Sequence, residues 1–445
     1  MQVPSRVELP RVRELSSIAA ENNPDRVAYG NGASGREVTW AEFDAESNRG
    51  ANALREHVGQ GDRIAYLTEA SVEQTILWNA GLKAGCVVSN LHIRDSPERV
   101  RSCLDSLRPR VLVVDEERSA FVEEHLYDEA STAFDAVVTT GEAQTEYEQP
   151  MSSFTAGYPA TEPDVKVDPD DIAAVMWTSG TTGEPKGWSH TNRGLVHRAM
   201  KLAHKKDTTR LTRVSNFFTP SFAAWYSTTL PTLLANGASY YVKQWSPEAY
   251  VELVEERLIT SSNLVPTMWR EVLRLDDLDD YDLSSLETVE SGGETLNTTT
   301  LEGLQKHVSP SVSQSYAATE VCGTYIDADE MRGERIDSVG KPLLGVQVRV
   351  VERGGSPDEV KDPGEVGEII VKSSDAAVWV SPDGVGWSRI ADEGNVLGGP
   401  GDQVMTGVVA GGPGLVAVGY DTAGGDFDGA VWTSPDGLVW QQHDD

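Results

Sequence analysis

At 445 residues the chain is long enough for two or three units with sizeable cores, and its 37 basic against 70 acidic residues leave a formal charge of −33. So acidic a surface repels nucleic acid and anionic membranes, which excludes both as natural partners, and three unevenly spaced cysteines (Cys86, Cys103, Cys322) imply neither a disulfide framework nor a zinc site. Arginine outnumbers lysine and the acids run through the whole length, a pattern that fits a halophilic source or an ordinary acidic cytosolic enzyme. The first residues carry no apolar signal core and no run of about eighteen apolar residues occurs, so a soluble, cytoplasmic protein without a membrane span is expected.

From about residue 15 to 106, helices alternate with short apolar strands: a helix over 41–57, a strand over 63–67, a helix over 72–83 and a strand over 86–90. A helix over 97–107 and a strand over 111–114 follow, and this alternation predicts a parallel sheet flanked by helices. Residues 141–171 are polar, acidic and proline-bearing and read as a surface connection. The apolar run 172–176 then reads as a buried strand, and from its end leaves the loop WTSGTTGEPKG (177–187). Gly180, Gly183 and Gly187 let backbone N–H groups approach an anion, Thr178, Ser179, Thr181 and Thr182 add hydroxyl donors, and Lys186 adds a point charge. That combination is a phosphate cradle. It differs from a P-loop because Lys186 follows Pro185 and precedes Gly187 and Trp188, not Ser or Thr.

TSGTTGEPKG resembles the phosphate-binding signature of the adenylate-forming enzymes: acyl- and aryl-CoA synthetases, luciferases and the adenylation domains of peptide synthetases. VTWAEFDAESNRGANAL (38–54) and GDRIAYL (61–67) resemble the opening subdomain of the same family. Beyond the loop, the pattern predicts a helix over 192–205, a strand over 214–218 and a helix from about 222 to 234. His190, near the loop's exit, reads as structural, bonding backbone instead of acting as acid or base.

FFTPSFAAW (217–225) occupies the place where the family lines its acyl pocket, which nominates Phe222 and Trp225 as pocket walls. In amino-acid-activating relatives an Asp follows the Phe and holds the substrate's ammonium. Here Ala223 follows Phe222, and no acidic residue occurs between Thr208 and Trp245. A buried ammonium without a carboxylate is costly, so an apolar carboxylic acid is the expected substrate.

ESGGETL (290–296) sits between a short apolar strand and a helix over 297–307, and by resemblance its Gly293, Glu294 and Thr295 pack against adenine; a helix cap by Asn297 or Thr295 is the other reading. SQSYAATE (313–320) matches the family's Tyr-Gly-x-Thr-Glu segment. The resemblance implies that Tyr316 stacks on adenine, Thr319 contacts the phosphates and Glu320 binds Mg²⁺ through a hard oxygen. Ala317 stands where the family usually has Gly, and the added methyl either narrows the acyl channel or disfavours a positive φ. DSVGKPLLGVQVRVVE (337–352) and GEVGEIIVKS (364–373) continue the match as a small β subdomain.

After residue 373 the resemblance stops. The family's Thr-Gly-Asp run and the lysine-bearing C-terminal lid are replaced by AAVWVSPDGVGWSRI (376–390) and GAVWTSPDGLVWQQH (429–443), an internal repeat in which Pro-Asp-Gly makes a tight turn between apolar flanks. The runs 404–410 and 415–420 add strands between the copies. The repeat resembles Asp-box hairpins of sialidase-type β-propellers, where Ser, Asp and Trp pin the hairpin.

The expectation is therefore an α/β chain. Residues 1–373 form an adenylating large domain with helix-flanked parallel sheets and a small β subdomain, and 374–445 form a short all-β, propeller-like fragment. The implied reaction is ATP-dependent, Mg²⁺-assisted activation of a carboxylic acid to an acyl adenylate, with CoA as the usual thiol acceptor in intact relatives; without the lid, thioester formation is expected to be lost and adenylation to be weak. The alternative is a non-catalytic nucleotide-binding or interaction protein. A glycosidase, resting on the tail alone, lacks a positioned pair of carboxylates.

Overall fold

The computed structural model describes residues 9–127, 134–178, 185–331, 335, 338–353 and 358–376, and as backbone strands 403–411, 414–421, 428–434 and 441–443. The chain opens with α1 (Leu15–Asn22) and a hairpin of β1 (Val27–Asn31) and β2 (Glu37–Thr39). A capping box then starts α2 (Trp40–Leu54): the Thr39 hydroxyl accepts from the Glu42 N–H while the Glu42 carboxylate accepts from the Thr39 N–H. Next come β3 (Arg63–Leu67), α3 (Val72–Lys83), β4 (Val87–Asn90), α4 (Pro97–Leu107) and β5 (Val111–Val114). Ser71 caps α3, and Ser96 followed by Pro97 starts α4.

The chain continues through α5 (Ser119–His125), β6 (Ala136–Thr139), β7 (Glu148–Pro150), α6 (Met151–Phe154), β8 (Ile172–Thr178), β9 (Lys186–Thr191) and α7 (Asn192–Lys205). It then runs β10 (Arg213–Asn216), α8 (Ala223–Ala235), β11 (Ala238–Tyr241), α9 (Pro247–Arg257), β12 (Ser261–Leu264) and α10 (Pro266–Val272). After β13 (Thr288–Gly292), α11 (Thr298–His307), β14 (Val312–Ala317), β15 (Cys322–Asp327) and β16 (Lys341–Pro342) comes the ribbon of β17 (Val346–Val351) and β18 (Glu368–Ser373).

Two large sheets result. The first has the order β7-β6-β5-β3-β4-β8-β9 and the second β16-β15-β14-β13-β12-β10-β11-β1-β2. Both are parallel in their interior and turn antiparallel only at the ends, at β8/β9, β1/β2, β14/β15 and β15/β16. Interior strands of four or five almost wholly buried residues are what a sheet covered on both faces requires. One apolar cluster joins the two sheets, running from Ile64 and Val111 through Trp40, Phe43, Trp78 and Trp225 on α2, α3 and α8 to Tyr29 and Tyr241.

Several sequence expectations shift. Residues 141–171 are more than a surface connection: β7 pairs in parallel with β6 as the sheet's edge, and Met151 and Phe154 are buried. The predicted strand over 214–218 ends at Asn216, and Glu290 lies within β13 instead of after a strand. Lys186 and Gly187 belong to β9, since they pair with Thr178 and Trp177. Ser374 and Asp375, assigned by sequence to the tail, sit against α7: the Ser374 hydroxyl lies 2.8 Å from His197 Nδ1, and Asp375 is buried. In the tail, β19 (Gln403–Gly411), β20 (Gly414–Asp421), β21 (Asp428–Ser434) and β22 (Gln441–His443) form a sheet paired antiparallel in sequence order. The second repeat copy thus carries a β21/β22 pairing, whereas the first copy lies outside the described residues apart from Ala376. No helix among the described residues is long and apolar enough to cross a membrane.

Candidate functional site

β8 and β9 pair antiparallel up to Thr178 opposite Lys186, so the two ends of the phosphate loop are held side by side. Two indoles brace this base: Trp177 Nε1 donates to Ser89 Oγ at 2.9 Å, and Trp188 Nε1 donates to Thr178 Oγ1 at 3.2 Å. Arg99 of α4 donates to the Thr178 carbonyl at 3.4 Å and pairs with Asp95 at 3.0 Å. Lys186 is exposed, and among the described residues no carboxylate pairs with it. Ser179, Gly180, Thr181, Thr182 and Gly183 lie outside the described residues.

The second and third motifs come together because β13 and β14 are neighbouring parallel strands, with Glu290 opposite Ser313 and Gly292 opposite Ser315. Ser315 Oγ donates to Glu290 Oε1 at 2.7 Å, and the Leu296 N–H donates to Gln314 Oε1 at 2.6 Å, which ties the turn after β13 to the strand beside it. Lys206 holds the other Glu290 oxygen at 2.6 Å within the interior. Two glycines are required here. A Cβ on Gly292 would lie 2.8 Å from Ser315 Oγ, and Gly293 has φ +86°. Gly293, Glu294 and Thr295 are exposed, as are Tyr316 and Ala317 at the end of β14. Asn297 caps α11 by accepting from the Thr300 N–H, so the cap and the turn coexist.

Thr319 and Glu320 form the tip of the β14/β15 hairpin, closed by Ala318 N–H to the Val321 carbonyl at 3.0 Å and Val321 N–H to the Ala318 carbonyl at 3.2 Å. Among the described residues no cation pairs with the partly exposed Glu320, and no group of three or more His, Cys, Asp or Glu side chains could hold a metal ion. A lone carboxylate suits Mg²⁺ that arrives on a nucleotide's phosphates, since that ion commonly uses one or two carboxylates plus phosphate and water.

A buried cluster behind this tip is absent from the sequence expectations. Arg198 of α7 donates through Nη2 to the Thr319 carbonyl at 3.1 Å, through Nη1 to Met176 Sδ of β8 at 3.8 Å, and faces Asp375 Oδ2 at 3.4 Å. Asp375 also accepts from the Cys322 N–H at 3.1 Å, from Lys201 at 2.6 Å and from Ser373. Burial raises the Asp375 carboxyl, but the Arg198 and Lys201 charges and the Lys201 and Ser373 hydrogen bonds overcome it and hold the group well below the usual carboxylate range. Arg198 could have been flagged as a cation among Leu195, Ala199 and Leu202 at helical spacing. Asp375 carried no comparable signal.

His190 lies in the same interior, its ring facing the Asp375 and Thr319 backbone without reaching hydrogen-bond geometry. Phe222 is the N-cap residue of α8, 48% exposed, with its ring 4.9 Å edge-to-face from His92. Trp225 is fully buried one turn later, 5.2 Å from Trp78, so it belongs to the shared core and presents no open wall.

A family model described as "AMP-binding enzyme" matches residues 17–378. Over 390 residues the chain is 27% identical to an uncharacterized acyl-CoA ligase of Bacillus subtilis (strain 168), covering 84% of this chain and 70% of that protein. Over 364 residues it is 28% identical to a 3-hydroxybenzoate-CoA ligase of Aromatoleum sp. (strain CIB), covering 80% and 67%. In fold it resembles the inhibitor-bound N-terminal domain of FACL13 from Mycobacterium tuberculosis, with TM-score 0.76 and 22% identity over 87% of this chain and 98% of that one.

Proposed function

The chain belongs to the AMP-binding enzyme family, and from that premise we propose that it activates an apolar carboxylic acid, fatty or aromatic, with ATP and passes the acyl group to CoA. The observation that carries this reading is the pairing of β13 with β14. It sets the ESGGETL turn beside Tyr316, while Arg198 links the Thr319 carbonyl to the strand that feeds the phosphate loop.

In the first step a carboxylate oxygen bonds to the α-phosphorus of ATP, the bond to the bridging oxygen breaks, and pyrophosphate leaves. The burden is charge, because an anion approaches a polyanion. Lys186 and the loop's N–H groups offset that repulsion; Glu320 would hold a Mg²⁺ carried on ATP, which would supply further positive charge against the phosphates. In the second step the thiol sulfur of CoA bonds to the acyl carbon, AMP leaves, and the thiol proton goes to solvent. On this reading Phe222 would wall the acid's end of the site, and Ala317 would trim the channel.

Finer assignments follow the same reading. We place the division between the large unit and the tail near residue 376, supported by the burial of Asp375 against α7. The tail is an Asp-box fragment, and the order β19-β20-β21-β22 is that of one propeller blade. A cytoplasmic, salt-adapted setting agrees with the charge of −33.

The test is carboxylate-dependent ATP–pyrophosphate exchange by the purified chain in concentrated KCl, with acids from acetate through medium-chain and aryl. Exchange is expected with a medium-chain or aryl acid, and Lys186→Ala should lower it by roughly a hundredfold or more. ATP binding without exchange for any acid would overturn the ligase reading in favour of a non-catalytic nucleotide-binding protein.

A further inference from the structure

We propose that Arg198 and Asp375 are positioning residues that fix where the Thr319–Glu320 tip stands relative to β8 and so act on the reaction through Glu320. The inference rests on Glu320 meeting the nucleotide's magnesium.

A two-residue hairpin tip is free to hinge about its closing pair unless something outside the hairpin holds it. Here it is held on both sides, at the Thr319 carbonyl by Arg198 and at the Cys322 N–H by Asp375. The guanidinium is planar with its donors at fixed angles, so a contact to Met176 on one edge and to Thr319 on the other sets the spacing between β8 and the tip. Asp375 in turn fixes Arg198. Its two oxygens accept from Arg198, Cys322, Lys201 and Ser373, which matches the four acceptor sites of a carboxylate and leaves it no second arrangement. A buried ionic cluster is a poor route to stability, since apolar residues of similar volume often do as well or better. What it supplies in their place is direction at every hydrogen bond. The residues that aim a metal-contacting carboxylate commonly change metal affinity or activity by about ten- to a hundredfold when altered.

The experiment compares exchange rates of wild type, Glu320→Gln, Arg198→Lys, Asp375→Asn and the double variant Asp375→Asn/Glu320→Gln across a Mg²⁺ titration, with urea unfolding of each. Arg198→Lys and Asp375→Asn should each slow exchange by roughly ten- to a hundredfold and raise the Mg²⁺ needed for half-maximal rate, with the acid's KM unchanged. The double variant should be no slower than Glu320→Gln alone, because residues that act through one group are not independent. Losses that multiply in the double variant, or a lowered urea midpoint with an unmoved Mg²⁺ dependence, would reduce the cluster to a structural role and overturn the inference. If Asp375→Asn fails to fold, Arg198→Lys decides alone, since lysine keeps a charge facing Asp375 but lacks the fork that reaches Thr319. Wild-type exchange in Glu320→Gln would instead overturn the reading of Glu320, and the inference with it.

Discussion

His190 enters the fold as a neutral side chain in a place that admits no charge. It is 1% exposed, and burial, with the Arg198 cation next in weight, brings its pKa from 6.5 down to about 3. Between those two values the unfolded chain binds a proton that the native state refuses. Stability is therefore unaffected above about pH 6.5 and declines as pH falls towards 3. At pH 5 the penalty is about 2 kcal/mol, from one and a half units at about 1.4 kcal/mol each. Urea unfolding of wild type and His190→Gln at pH 7 and pH 5 checks it: wild type should lose about 2 kcal/mol more than the variant between the two. Equal losses would mean that the ring is protonated in the native state. His190 is buried as a structural side chain would be, but neither ring nitrogen makes the backbone bond expected of it; burial first, and then the arginine on the next helix, keep the ring neutral.

At the scale of elements, the turn between β13 and α11 depends on one backbone angle. Gly293 has φ +86°, and the nearest atom to a Cβ there would be Val265 Cγ1 at 3.7 Å, so space is available and only the backbone objects. Gly293→Ala should cost about 1–2 kcal/mol in urea unfolding and weaken ATP binding, because the turn must distort to relieve the strain. An unchanged urea midpoint would show that the turn relaxes freely. Several helices were legible where a cap marked their start, although α9, which Ser246 caps ahead of Pro247, was not. The expected spans over 72–83, 97–107 and 192–205 coincide with α3, α4 and α7, which begin at Ser71, at Ser96 with Pro97 and at Thr191. Short strands at or next to a sheet edge were not legible. β1 gains its place by pairing with β11 some two hundred residues later, and KGWSHT in β9 has no clear apolar alternation to set it apart from the loop it closes. The site divides likewise: the motifs are contiguous and readable, whereas Arg198, Lys206 and Asp375 act through contacts that only the fold creates.

For the whole molecule the governing quantity is the charge of −33. Salt acts on it in two opposed ways. It weakens surface ion pairs such as Arg193 with Asp170 and Lys205 with Asp327, each worth at most about 1 kcal/mol when exposed. It also relieves repulsion among the carboxylates, which outnumber cations by a wide margin and cannot all be paired. The interior pairs, Arg198 with Asp375 and Lys206 with Glu290, are shielded from bulk ions and contribute little to either trend. Because the unpaired excess is the larger population, relief should win. The Tm should rise with KCl, most steeply up to about 1 M, where the screening length has contracted from about 10 Å at 0.1 M to about 3 Å. Chloride is the anion of choice, since sulfate would stabilise almost any protein by exclusion from its surface. A Tm that is flat or falls over this range would mean that the surface ion pairs outweigh the repulsion and that the acidic surface is no adaptation to salt.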